Sequence, residues 1–114
     1  MWDGESGSQL TGWVAFADGH EGEDGCPVER AVLREGSFAI DFVWQGGTYS
    51  AILRRDEDGW FRGRWSRRSP FPAEGKAACL FRDGDDHVKL LGFLTEEQRE
   101  WLWVGMLEPV SRET

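Results

Sequence analysis

Residues 37 to 65 alternate large apolar side chains with smaller or polar ones at a period of two, broken only by glycine-bearing turns. In SFAIDFVW (37–44), Phe38, Ile40, Phe42 and Trp44 fall on one face, and Ala39, Asp41 and Val43 on the other. Gln45-Gly46-Gly47 separates this run from TYSAILRR (48–55), and Asp56-Glu57-Asp58-Gly59 separates that one from WFRGRWSR (60–67). Successive side chains of a strand point to opposite faces, so this period belongs to strands buried on one side. Gly-Gly and Asp-Gly between such runs are hairpin turns. A chain written this way folds back on itself strand by strand.

The same alternation recurs at LTGWVAFA (10–17), KAACLFR (76–82), HVKLLGFL (87–94) and WLWVGMLE (101–108), and more weakly at PVERAVLR (27–34). Eight strands at a spacing of about twelve residues predict an all-β fold, an eight-stranded antiparallel up-and-down meander. An open meander leaves two unpaired edges, and eight strands is a size at which a sheet closes, so a β-barrel is expected. A two-sheet β-sandwich satisfies the same alternation and stays open as the alternative. Two segments also read as helix. Residues 27–34 begin with Pro27, which suits a first helical position. Thr95 with Gln98 three residues on is a capping-box pattern, so a single turn is expected over 95–100 before the last strand.

The chain of 114 residues suits one domain, 1–114, with polar ends at 1–8 and 109–114 that are expected to fray. Its formal net charge of -8 disfavours nucleic acid and anionic membranes as partners, both being polyanions. No apolar run reaches the length of a membrane-spanning helix, and MWDGESGSQL lacks the basic and apolar regions of a signal peptide. The expected location is cytoplasmic, where Cys26 and Cys79 are thiols. Cys79, in the apolar run AACLF, reads as a core residue.

In a meander, successive connections alternate between the two ends of the barrel. One end then receives 18–27, 45–47, 68–75 and 95–100, and the other receives the short turns 35–36, 56–59 and 83–86. This predicts a cup with a longer-rimmed mouth, and mouths of small barrels take ligands. Seven Trp and seven Phe supply the lining. Phe38, Phe42, Trp44, Tyr49, Gly63, Trp65 and Trp103 are the candidate ligand-binding residues of the interior, with Phe71, between two prolines, on the rim. Gly63 is expected to leave room for a ligand or for a large neighbouring ring. The competing expectation is an interior filled by its own side chains.

DGWFRGRW (58–65) resembles the turn-and-strand pattern of the calycin-type barrels, the lipocalins and avidins. Asp58-Gly59, an apolar residue and then Gly-x-aromatic look avidin-like, and Gly63-Arg64-Trp65 matches the Gly-x-Trp of lipocalins. The resemblance implies a ligand-binding barrel. Gly-x-Trp belongs to the first strand in lipocalins and falls in the fifth here, and no biotin-site pattern is present.

Within the same stretch, Trp60, Arg62 and Arg64 share the opposite face from Phe61, Gly63 and Trp65. An outward Trp/Arg face suits a protein partner or a second copy of the chain, since these residue types dominate binding hot spots. A solvated face whose arginines pair with neighbouring acids explains it equally. The loop DGHEGEDG (18–25) carries acids and His20, but it lacks the spacing of a calcium loop and reads as solvated. His87 is assigned to the other end, so no metal site is expected. No hydrolase, metalloprotease or nucleotide-binding motif is found, and no cofactor is implied. The sequence therefore points to a non-enzymatic binding protein for a small apolar or planar ligand, with an interaction module or homodimer as the alternative.

Overall fold

The computed structural model describes residues 8–17, 26–44, 46–69 and 72–110. Among them are eight strands: β1 (Ser8–Ala17), β2 (Cys26–Leu33), β3 (Ser37–Trp44), β4 (Gly47–Arg55), β5 (Phe61–Ser69), β6 (Ala73–Asp83), β7 (Val88–Glu96) and β8 (Arg99–Pro109). Each pairs antiparallel with its neighbour in sequence, and β1 pairs with β8 from Leu10↔Pro109 to Ala17↔Leu102. The sheet is thus a closed barrel, which excludes the sandwich. Closure leaves no strand edge open.

Of the two readings of 27–34, the strand is the one found, over 27–33, and the helix is not. These residues lie in β2, whose register shifts between Val28 and Arg30 against β3 and is matched by a shift between Leu10 and Trp13 in β1. The irregularity buries Ala31 and Val32 in succession, which blurs the period of two. Residues 95–100 do not form a helical turn either. Glu96 pairs with Arg99 across a tight turn in which Glu97 adopts φ 54. Ser8 pairs with Leu33, and the Val110 amide donates to the Gln9 carbonyl at 3.0 Å, so these end residues are held. The remainder of the ends, 1–7 and 111–114, lies outside the described residues.

The expected cup is also altered. The C-terminal ends of β1, β3, β5 and β7 and the starts of β2, β4, β6 and β8 lie at one end, here the rim, and 34–36, 56–60 and 84–87 lie at the other, the base. The parity is as expected. The length contrast is smaller than expected, because β6 begins at Ala73 and β8 at Arg99, which leaves fewer residues between strands at two rim positions; the connection 18–25 lies outside the described residues.

The inner face is layered. Large rings occupy both ends, and Ala51, Gly63, Ala77, Cys79, Gly92 and Gly105 lie between. A Cβ on Gly63 would lie 1.9 Å from the Ile52 carbonyl oxygen, and one on Gly92 2.0 Å from that of Ala78. Adjacent strands coil so tightly here that only glycine fits. The room expected beside Gly63 is taken up by the β4 backbone.

Candidate functional site

Seven aromatic side chains converge at the rim end of the interior: Phe16 from β1, Phe42 and Trp44 from β3, Tyr49 from β4, Trp65 from β5, and Trp101 and Trp103 from β8. Residues two apart share a face, and antiparallel pairing sets Tyr49 opposite Phe42 and Trp103 opposite Phe16. The rings touch in a circuit. Trp103 meets Phe16 at 6.5 Å between centroids, Phe16 meets Trp44 at 4.8 Å, and Trp44 meets Tyr49 at 5.7 Å. Tyr49 then meets Trp65 at 5.9 Å, and Trp65 meets Trp101, back on β8, edge-on at 6.5 Å. Phe42 stacks on Tyr49 at 5.3 Å.

Among the described residues, the side-chain polar atoms of this end are mostly donors. The Trp65 indole N–H donates to the Thr95 carbonyl at 2.9 Å. The Arg67 guanidinium donates to the Tyr49 hydroxyl at 3.2 Å and lies 5.8 Å from that ring's centre. Arg99 lies over Trp101 at 5.1 Å. The indole N–H groups of Trp44 and Trp103 are both buried, and neither has an acceptor among the described residues. Trp103 is wholly enclosed, whereas Trp44 is only half-buried. A buried donor left without a partner costs about 1–3 kcal/mol, so two at one end of a barrel call for an explanation.

Of the candidates named from sequence, Phe42, Trp44, Tyr49, Trp65 and Trp103 are gathered here. Phe38 is on the inner face but at the base, edge-on to Phe81 at 4.7 Å. Its neighbour Phe81 lines a basin of about 410 Å3 together with Leu33, Phe61, Arg34, Arg55 and Asp83. Phe71, the acidic loop 18–25 and His20 fall outside the described residues. Phe16, Trp101 and Arg67 were not among the candidates. Their signal was in the alternation, which places Arg67 two positions beyond Trp65 and Trp101 two before Trp103.

Trp60, Arg62 and Arg64 lie outside the barrel, but Arg62 is engaged. It donates to Asp56 at 2.7 Å and to Asp58 at 3.1 Å, and its guanidinium lies 5.7 Å from the Trp60 ring centre. Arg64 reaches Glu74 at 3.7 Å. The hydrogen bond from Arg62, followed by that from the Trp60 amide, holds the Asp58 carboxyl below its usual range. A lowered carboxylate supports the turn above the ordinary carboxylate range, and that support is lost as pH falls through the lowered value. By NMR titration, Arg62→Ala should raise the Asp58 midpoint. An unchanged midpoint would mean that the pair does not form in solution.

Elsewhere on the outer wall, Trp13, Leu80, Leu91, Val104 and Met106 border an apolar groove of about 610 Å3 across β1, β8, β7 and β6. No group of three metal-capable side chains occurs among the described residues, and none of their helices is long and apolar enough to cross a membrane. Both cysteines are buried thiols outside any disulfide, and burial pushes the Cys79 thiol up to about 12. The thiolate is the reactive form, so Cys79 should not react with Ellman's reagent at pH 8 in the folded protein and should react in denaturant, with Cys26→Ser used to isolate its signal. A thiol titrating within minutes in the native protein would contradict this burial.

No family model matches the chain, and no curated protein and no solved structure is significantly similar to it.

Proposed function

We propose that the protein is a non-enzymatic binding protein whose small-molecule ligand is held by the aromatic rim end of the barrel. The circuit of rings is the observation that carries this. Seven rings from five strands are placed at one end, where planar faces and edges suit stacking on a flat ligand. The half-buried Trp44 gives that end an accessible aromatic surface. The resemblance of residues 58–65 to calycin-type barrels points the same way. Docking of a protein partner through Trp60, Arg62 and Arg64 has less support, because Arg62 is neutralised by the two aspartates of its own turn.

Quenching of tryptophan emission, screened against planar aromatic compounds, tests the site. A binder should give a saturable response. Tyr49→Leu, which removes a ring from the circuit, should weaken binding by about twofold to tenfold, the scale of one lost aromatic contact. Trp13→Ala, on the outer wall, should leave the affinity unchanged. A response that is indifferent to Tyr49→Leu but abolished by Trp13→Ala would move the site to the outer groove. The absence of any saturable response would end the proposal.

A further inference from the structure

We infer that the ligand is an uncharged planar molecule bearing carbonyl acceptors, such as a quinone or cyclic diketone, which receives the indole N–H groups of Trp103 and Trp44. This rests on the small-molecule reading above and goes further by naming the ligand's chemistry.

Three observations carry it. First, the two indole donors are buried and unpaired, and both rings pack against Phe16, with centroids 4.8 Å (Trp44) and 6.5 Å (Trp103) from it. They belong to one neighbourhood. Second, the described inner wall around them offers no free side-chain acceptor. No buried polar or charged residue lies in the core apart from the aromatic hydroxyl of Tyr49, which already accepts from Arg67. Glu96 shares the inner-face parity of Leu94, but it is the last residue of β7, out on the rim. Third, this neighbourhood is unfavourable for water. An internal water typically makes about three hydrogen bonds, so one that accepts from both indoles would still look for an acceptor for its own hydrogens. A carbonyl oxygen accepts without donating, so a wall that offers only donors satisfies it.

Neutrality follows from the cations of this end being already engaged. Arg67 is held by the Tyr49 hydroxyl and ring and Arg99 lies over Trp101, so an anion buried beside the indoles would lack a cation of its own, in a chain with a net charge of -8. An indole N–H is a neutral donor suited to a neutral acceptor. The surrounding rings account for planarity.

The test uses three probes with one ring skeleton: anthraquinone, anthracene and anthracene-9-carboxylate. Affinities are read by fluorescence quenching and thermal shift for the wild-type chain and for Trp44→Phe and Trp103→Phe. Each substitution keeps a ring and deletes one donor. Anthraquinone should bind at least about tenfold more tightly than anthracene. Each Phe variant should lose about fivefold to tenfold for anthraquinone, the size of one net hydrogen bond, and nothing for anthracene.

A second readout needs no variant to bind. In the wild-type protein, the indole N–H resonances of Trp44 and Trp103 should move downfield on adding anthraquinone and stay in place with anthracene. Equal affinity for anthracene and anthraquinone, or tightest binding of the carboxylate, would overturn the carbonyl assignment while leaving a ligand-binding barrel. Cross-peaks from both indoles to a long-lived water, unchanged by anthraquinone, would overturn it in favour of an internal water. If none of the three probes binds, the small-molecule reading falls and this inference falls with it.

Discussion

Trp103→Ala should remove a large share of the barrel's stability. Trp103 is wholly enclosed at the point where β8 meets β1, with Phe16 directly opposite it. Truncating a buried Trp to Ala costs about 3–5 kcal/mol, because the apolar contact is lost and a cavity remains. A domain of this kind is stable by about 5–15 kcal/mol in total. The urea midpoint should fall accordingly, and a loss below about 1 kcal/mol would show that the ring is not packed as described. Trp103→Phe should behave differently. It leaves a smaller cavity and also removes an N–H that has no acceptor, relieving about 1–3 kcal/mol of burial cost. The two effects oppose each other, so the net change should stay within about 1 kcal/mol.

Gly63→Ala and Gly92→Ala are the second pair of large effects. Each new methyl would sit within 2.0 Å of a carbonyl oxygen on the neighbouring strand. The obstacle is backbone in both cases, so the strands must separate. Overpacking typically costs about 1–3 kcal/mol, and a displaced ladder adds to that. Each variant should unfold at least about 2 kcal/mol earlier by urea titration or fail to fold. Gly36→Ala is the control. A Cβ there meets nothing within 4 Å, so its stability should be unchanged or slightly raised. If Gly63→Ala matched Gly36→Ala, the tight coiling of β4 against β5 would be wrong.

The architecture was legible because one-sided burial imprints a period of two on each strand. SFAIDFVW shows this best, and its four large side chains are all on the inner face. β2 was ambiguous for a physical reason. Its irregular register buries two neighbours in a row and imitates a shorter period. The rim connections were overestimated because the strands run past the core. Glu74 and Arg99 are polar and exposed yet lie within β6 and β8. Polarity there marks an outward or rim position rather than the end of a strand.

The site was only partly legible. Phe38 and Trp44 were correctly placed on one face of one strand. Six residues of strand span about 20 Å, however, so the same face is not the same site. Phe38 belongs to the base with Phe61 and Phe81, and Trp44 to the rim. Alternation gives the face, whereas the end depends on where each strand starts, which loop reading fixed only to within a few residues. The unpaired indoles had no sequence signal, because a missing partner is a property of the assembled barrel.

The pairing of β1 with β8 sets that seam apart from every other in the barrel. The other strand contacts join neighbours along the chain, so each hairpin can zip up soon after its turn forms. Leu10 must find Pro109 across nearly the whole chain. Closing such a long loop adds only a logarithmic entropic cost, but it has to wait until the intervening sheet has curled enough to bring its first and last strands together. In hydrogen exchange, the β1–β8 amides should therefore open before those of β3–β4. A permuted chain, cut at Glu35–Gly36 and rejoined across the base between residues 8 and 110, would turn the slowest pairing into a local one.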